Sequence, residues 1–228
     1  MVFFPYWLVP QGAEFQAVRK GIDLAQGSGF SPQVIPIPLG SRPLDRWLPQ
    51  LEETPAGAAV LLLGVAGSLN ARFQVPDWVI SSRIQTVDAQ SYTCEPEVLA
   101  ALQQRLPKAQ IGQALCSDRI LTQVSEKQSL GSRYGCDLVE MEGAIVVEAL
   151  QEKGLKWAMI RVISDDLSRN IPDLSQAILP EGGINGLAMA AAFLREPIPA
   201  FHFIRGSLQA LASLQTIAQE LAQADANF

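Results

Sequence analysis

The sequence is poor in the residues from which metal sites and several catalytic centres are built. It contains one histidine, His202, and three cysteines, Cys94, Cys116 and Cys136, none of which forms a CxxC pair. Zinc sites need several such ligands at short spacings, so we expect no bound metal. A Ser–His–Asp triad would have to use His202, and no GxSxG segment precedes it. The odd number of cysteines favours a reduced, cytoplasmic setting.

Basic charge is also scarce, and no apolar run is long. The chain has 17 Lys and Arg against 23 Asp and Glu, a net charge of −6, whereas a nucleic-acid surface needs a basic patch. The longest apolar runs fall short of the ~18 residues that a membrane span requires. The apolar start MVFFPYWLVP lacks the basic segment and cleavage site of a signal peptide. We therefore predict no nucleic-acid partner and no stable insertion into a membrane.

Nucleotide-binding glycine motifs are absent as well. The segment LGVAGSLN, residues 63–70, does not have the GxGxxG spacing of a dinucleotide site and lacks the GK[ST] ending of a P-loop. We expect no nicotinamide and, more generally, no cofactor. Taken alone, this segment predicts a tight turn, and its functional alternative is a place where the backbone approaches a small ligand closely.

The sequence does contain an alternation of strand and helix patterns. We predict strands at 2–9, 58–67, 77–84 and 157–163, and helices at 12–25, 95–106, after 142 and at 184–195. This order predicts a mainly parallel sheet with helices on both faces, and 228 residues fit one domain.

Three further segments complete this organisation. Residues 184–195 are apolar on most sides, which predicts a buried helix. Residues 41–57 are interpreted as a loop-rich connection. Apolar residues then recur at steps of three and four from Ile204 to Leu221, so we predict one domain, 1–228, with a C-terminal helical extension at about 197–228.

Acidic residues collect where the predicted strands end, and in such sheets ligands bind beyond the carboxyl ends of the strands. Glu14 follows the first strand, Asp165 and Asp166 follow the last, and Glu140 and Glu142 flank a methionine just before an apolar helix. An unpaired buried carboxylate is costly, so one glutamate of that pair is expected to bind something. Each acid also has an ordinary explanation, because acids are favoured at helix starts and cap helices.

Three segments in this order and spacing, GVAGSL, EMEGA and IRVISDD, resemble the nucleoside phosphorylase and nucleosidase superfamily. The nearest resemblance is to the methylthioadenosine/S-adenosylhomocysteine nucleosidases, and it extends from LVPQGAEF to about Phe193. It rests on the ordered set, since no single motif is decisive. It implies a phosphorylase/hydrolase-like α/β/α fold with three layers and a mixed, mostly parallel, twisted central sheet.

The resemblance also implies roles for particular residues. Glu142 would accept hydrogen bonds from both ribose hydroxyls, and Met141 would lie beneath the sugar. Asp165, positioned by Ser164, would protonate the leaving purine at N7, and Glu14 would activate the attacking water. Five further residues would line the pocket: Val65, Ala66, Gly67, Ile120 and Leu121.

The chain departs from the nucleosidase pattern at several positions. Val65 stands where a small hydroxyl residue is usual, and CSDRIL, residues 116–121, replaces a segment that usually stacks an aromatic ring on adenine. Arg72 and Arg83 are candidates for phosphate binding, but neither is clearly placed. We therefore predict hydrolysis of a 5′-modified adenosine, with phosphorolysis, and phosphate as co-substrate, as the alternative.

The C-terminal tail keeps further alternatives open. It resembles the hopanoid-associated phosphorylase subgroup, which implies adenine release from an adenosyl lipid. We prefer a helix that packs on its own domain or on a second subunit, because a membrane-surface helix usually carries several basic residues and residues 197–228 contain one, Arg205. The family resemblance implies a homodimer, and a non-enzymatic nucleoside-binding relative is the last alternative.

Overall fold

The structure, a computed structural model, describes residues 2–25, 31–38, 48–51, 54–55, 57–174, 177 and 185–225. Within these residues the strands are β1 (Phe3–Pro10), β2 (Gln33–Ile37), β3 (Ala58–Ser68), β4 (Trp78–Thr86), β5 (Ser91–Thr93), β6 (Gln110–Cys116), β7 (Leu138–Glu140) and β8 (Lys156–Asp165). The helices are α1 (Ala13–Leu24), α2 (Pro96–Arg105), α3 (Val124–Tyr134), α4 (Gly143–Glu152), α5 (Gly186–Arg195) and α6 (Pro197–Asp225), with a 3-10 turn at Leu48–Leu51. Most of the predicted connection 41–57 lies outside the described residues.

The sheet is mixed and mostly parallel, as the resemblance implies, and it closes on itself. Parallel strands run in the order β2, β1, β3, β8. β4 then pairs antiparallel with β8 and parallel with β6, and β7 joins β6 to β3. Five strands therefore form a closed ring, in the order β3, β8, β4, β6 and β7. Each strand of the ring pairs with a neighbour on both of its edges.

The three-layer prediction is confirmed by the packing of the helices. Helices α1 and α6 pack against each other and on β1, β3 and β8, while α2 and α4 pack on β4 and β8. β3 and β8 are buried along almost their whole length. Near-continuous apolar runs such as these are typical of strands that are covered on both faces. Arg161 is the charged residue in the buried interior of β8, and it leads to the functional site.

The prediction of a buried α5 is wrong. Leu187 and Leu194 are 87% and 83% exposed, and Ala192 is the buried residue among those of this helix. An apolar composition therefore did not determine which residues this helix buries. The sequence pattern alone cannot show how much of an apolar helix its neighbours cover.

Helix α6 packs on its own domain through a different set of residues from the one expected. Leu214, Ile217 and Leu221 are buried, but Ile204 and Leu208 are exposed. In the first half of the helix the small residue Gly206 meets the backbone of Ser164 at the end of β8, so this contact with the sheet is made without a large side chain. None of the described helices, including α6, combines the length and the mean hydropathy of a membrane span.

Candidate active site

A cavity of about 240 Å³ lies at the carboxyl ends of β1, β3 and β8. Its lining includes every site residue predicted from the sequence: Glu14, Val65, Ala66, Gly67, Ile120, Leu121, Met141, Glu142, Ser164 and Asp165. Parallel strands bring their carboxyl ends to one edge of a sheet, which explains how residues so far apart in the chain meet.

Glu14 enters the cavity from the first turn of α1. Its Oε2 accepts a hydrogen bond of 2.9 Å from the backbone N–H of Val65 in β3. Burial raises the pKa of Glu14 to about 8, and the nearby Glu142 carboxylate adds to this rise, while the Arg161 charge and the Val65 N–H oppose it. At neutral pH the carboxyl is therefore mostly protonated, and it becomes a proton acceptor in mildly alkaline solution.

Glu140 ends β7 and is buried. Its Oε2 accepts hydrogen bonds from the backbone N–H groups of Glu142 (3.2 Å) and Gly143 (2.7 Å), and from Nη2 of Arg161 at 2.6 Å. The structure thus supports the ordinary explanation of this acid, a carboxylate at a helix start. Glu140 satisfies orphan donors at the beginning of α4 and so holds the segment that carries Glu142.

Arg161 connects this acidic cluster. Besides Glu140 it approaches Glu142, with Nη2 to Oε2 at 3.6 Å. Burial alone would lower the pKa of the guanidinium, but the Glu140 and Glu142 carboxylates raise it, so Arg161 keeps its charge. No role was predicted for Arg161, although an arginine inside an otherwise apolar strand is a signal that could have identified it.

Asp165 ends β8 and faces the same cavity. Its Oδ1 accepts a 3.0 Å hydrogen bond from Oγ of Ser164, and its Oδ2 forms an ion pair with Nζ of Lys127 from α3. Lys127 was missed, since α3 was not predicted and nothing in its polar sequence distinguishes this lysine. Asp166 points elsewhere and accepts hydrogen bonds from the backbone of Ser168 and Val75.

The glycines of the LGVAGSLN segment make room for acidic side chains. Gly64 and Gly67 lie within β3 and not in the tight loop that was expected after it. A Cβ on Gly64 would lie 2.7 Å from Oε2 of Glu14, and a Cβ on Gly67 would lie 2.9 Å from Oδ2 of Asp165. Hydrogen at these positions therefore lets two acids approach the strand closely.

The other wall of the cavity is apolar. Ile120 and Leu121 were expected there, and the structure adds five residues from the loop after β8 and from α5 and α6: Ile171, Leu174, Ala177, Met189 and Phe203. Several of these belong to a small hydrophobic cluster separate from the main core. This wall can bury an uncharged group beside the acids.

Arginines have limited access to the cavity. Arg119 lines it but pairs with Glu126, 3.3 Å from Nη1 to Oε2. Arg72 pairs with Asp137 at 3.2 Å and Arg83 bonds Gln113, and neither of the two lines the cavity. Among the described residues, no cluster of three or more His, Cys, Asp or Glu side chains could hold a metal ion.

Fold and site together define a class of protein. The family model of the Phosphorylase superfamily matches residues 57–195, more than half of the chain. The chain belongs to this superfamily, which confirms both the resemblance seen in its motifs and the prediction that it is an enzyme. No curated protein matches it in sequence.

Solved structures of similar fold include several nucleosidases. A 5′-methylthioadenosine/S-adenosylhomocysteine nucleosidase from Campylobacter jejuni has a TM-score of 0.64 at 11% identity, with 97% of this chain and all of that chain covered. Futalosine hydrolase from Helicobacter pylori has a TM-score of 0.58 at 16% identity, covering 89% and 96%. A putative methylthioadenosine nucleosidase from Weissella paramesenteroides has a TM-score of 0.57 at 15% identity, covering 96% and 97%. At these identities the likeness shows the fold.

Proposed function

We propose that the chain hydrolyses the N-glycosidic bond of a purine nucleoside, with a 5′-modified adenosine as the substrate class. The observation that carries this proposal is the convergence of Glu14, Glu142 and Asp165 on one cavity. Hydrolysis of this bond needs a group that holds the sugar, a proton donor for the base and a base for water, and three acids on three elements can serve these three needs.

Glu142 holds the ribose in this proposal. The two oxygens of a carboxylate can accept hydrogen bonds from two adjacent hydroxyls. Arg161 and the start of α4 fix the position of this glutamate, and Met141 lines the cavity next to it. Prior placement of the acceptor lowers the entropic cost of orienting the sugar.

Asp165 and Glu14 act on the two sides of the bond. As the bond between C1′ and the base breaks, its electron pair moves into the base, and a proton reaches N7 through Asp165. Water adds to C1′ and gives its proton to Glu14. General acid and general base catalysis each contribute about 10²–10⁴-fold, and a pKa near 8 suits a base that works close to neutral pH.

The apolar wall supports a substrate with an uncharged 5′ group. Ile171, Leu174, Met189 and Phe203 offer contact area to such a group, in keeping with the methylthio substituent in the names of two of the similar structures. A larger apolar substituent, as in an adenosyl lipid, is the alternative substrate of the same chemistry.

The pairing of the nearby arginines favours water over phosphate as the nucleophile. Arg119, which lines the cavity, is bound by Glu126, and Arg161, which lies behind the lining, is bound by Glu140. An entering phosphate dianion would therefore have to displace a carboxylate to pair with either of them. The homodimer that the family resemblance implies and the cytoplasmic location that the cysteines favour stay predictions.

Base release measured by chromatography tests the proposal. Methylthioadenosine, S-adenosylhomocysteine, adenosine and inosine are each incubated with and without phosphate. We expect free adenine and free sugar without phosphate, and a loss of at least about 10²-fold in kcat for Asp165→Asn. The matched control Asp166→Asn should retain activity, because Asp166 lies outside this cavity.

Other outcomes would contradict this proposal in different ways. A sugar 1-phosphate formed only with phosphate would establish phosphorolysis and remove the role of Glu14 in activating water. Nucleoside binding without base release, for the whole panel and for an adenosyl lipid, would favour the non-enzymatic alternative.

A further inference from the structure

We propose that Lys127 is a positioning residue that supplies Asp165 with the proton transferred to the leaving base. The inference deepens the proposed function and rests on it. The structure pairs the acid at the end of β8 with a buried ammonium group from α3, a helix that otherwise contributes nothing to the catalytic acids.

The burial of Lys127 is unusual. Its side chain is 1% exposed, against 12% for the Asp165 side chain with which it pairs. Lysine is among the residues least often fully buried, and removing an ammonium group from water is costly unless it is paired. Lys127 contacts the acid through one of its two oxygens, and Ser164 donates to the other.

The position of Lys127 in its helix adds to this cost. It lies in the first turn of α3, which begins at Val124, and cations are disfavoured at the N-terminus of a helix because of the helix dipole. Neither solvation nor the helix therefore accounts for a lysine here. The ion pair with Asp165 is the favourable interaction that the described residues show for this ammonium group.

The pair solves a problem in the chemistry of the acid. A carboxylate that accepts hydrogen bonds from an ammonium and a hydroxyl has no proton of its own to give. When the bond to the base breaks, the base takes a proton at N7 from Asp165, and a proton passes from the Lys127 ammonium to Asp165. The lysine is left as a neutral amine and recovers a proton from solvent through Asp165 before the next turnover.

Other charged groups line the two cavities that Asp165 also lines, and they set the background for the pH dependence of catalysis. They come from the loop after β6, from α1, from β7 and α4, from the loop after β8 and from α6: Arg119, Glu14, Glu140, Glu142, Asp166, Arg169, His202 and Arg205. These groups stay in place when Lys127 alone is changed, so a difference between variants reports on the lysine.

Two substrates separate proton supply from folding. A purine nucleoside needs a proton on its base, whereas 4-nitrophenyl riboside has a leaving group that departs as an anion. For Lys127→Met we expect a fall in kcat of about 10²-fold on the purine nucleoside, with KM and the rate on the nitrophenyl riboside close to wild type. The control Lys156→Met removes a half-buried lysine that pairs with Glu95 and Glu97, away from the cavity, and should leave both rates unchanged.

A second variant covers the case in which Lys127→Met does not fold. Lys127→Arg keeps the positive charge, but a guanidinium does not release a proton in proteins. We expect it to lose activity on the purine nucleoside and to keep activity on the nitrophenyl riboside. A wild-type rate of Lys127→Arg on the purine nucleoside would overturn the proton transfer.

The pH profile gives an independent readout. Since the lysine supplies the proton to Asp165 in wild type alone, we expect the pH profile of kcat/KM on the purine nucleoside to differ between wild type and Lys127→Met. Unchanged profiles, or equal losses on both substrates, overturn the inference while the proposed function stands. A wild-type enzyme that releases no base overturns the proposed function, and this inference with it.

Discussion

Glu14, Glu140 and Glu142 lie around a single buried guanidinium, that of Arg161. Three carboxylates and one cation in a water-poor space cannot all be ionised cheaply. Glu140 has the closest ion pair, while Glu14 has a pKa raised to about 8 by burial and then by the charge of Glu142. Unequal environments of chemically similar acids are how one site obtains different roles from them.

The raised pKa of Glu14 predicts the pH dependence of catalysis. If Glu14 is the general base, kcat/KM should rise with pH up to about 8, because the carboxyl must lose its proton before it can accept one. Glu14→Gln should lower kcat by about 10²–10⁴-fold, and its kcat/KM should no longer rise with pH in this range. The control Glu220→Gln, at a surface pair with Lys108, should change neither. A rise with pH that persists in Glu14→Gln would assign it to another group.

Arg161 should contribute to the stability of the fold as well as to the arrangement of the acids in the site. Removing one partner of a buried ion pair costs about 3–5 kcal/mol, since the other charge is left uncompensated. We expect Arg161→Met to lower the free energy of unfolding by this amount in urea denaturation. Arg119→Met breaks a pair whose arginine is 58% exposed and should cost less than about 1 kcal/mol. Equal costs would contradict the burial argument.

At the scale of elements, α6 connects the site to the rest of the domain. Its first half brings Phe203 to the cavity wall and Gly206 against the end of β8. Its second half packs in the main core through Leu214, Ile217 and Leu221. The outer side chains of the first half are exposed, so the docking of this helix depends on the second half.

This division predicts that two Leu→Ala substitutions in the same helix lower the free energy of unfolding by different amounts. Leu214→Ala leaves a cavity in the core and should lower the free energy of unfolding by about 2–5 kcal/mol. Leu208, six residues earlier, is 62% exposed, and Leu208→Ala should change it by no more than about 0.5 kcal/mol. Thermal and urea unfolding measure both. A large cost for Leu208→Ala would indicate that its face is covered in solution, as a homodimer could do.

At the scale of the whole molecule, stability and the protonation of the site are coupled. The folded chain raises the pKa of Glu14 from the ordinary glutamate value of 4.5 to about 8. Between these values the folded chain holds a proton that the unfolded chain has released. Stability contributed by this group is therefore full at pH 4.5 and below, and it is lost as pH rises to about 8.

A comparison of two proteins isolates this coupling from all other titrations. The free energy of unfolding of wild type should fall relative to that of Glu14→Gln as pH rises from about 5 to about 8. The difference should amount to a few kcal/mol, on the order expected from about 1.4 kcal/mol per pKa unit. Parallel curves for the two proteins would show that Glu14 titrates alike in the folded and unfolded chains.

The sequence by itself determined the order of the main strands and helices and, through its family resemblance, ten of the residues that line the cavity. Apolar periodicity is a local signal, and β1, β3, β8 and α1 were recognised because each carries its own pattern. Helix α3 was missed since its sequence is polar, and β7 is not among the predicted strands because three residues hold too little periodicity.

Only the tertiary structure decided how the charges are shared. Val65 and Glu14 are 51 residues apart, Lys127 and Asp165 are 38 apart, and Arg161 and Glu140 are 21 apart. No local pattern specifies which cation meets which acid, or how deeply either is buried. Closure of the sheet and the exposure of α5 likewise arise from contacts between distant segments, so the types of the proposed catalytic groups follow from sequence while their surroundings follow from the fold.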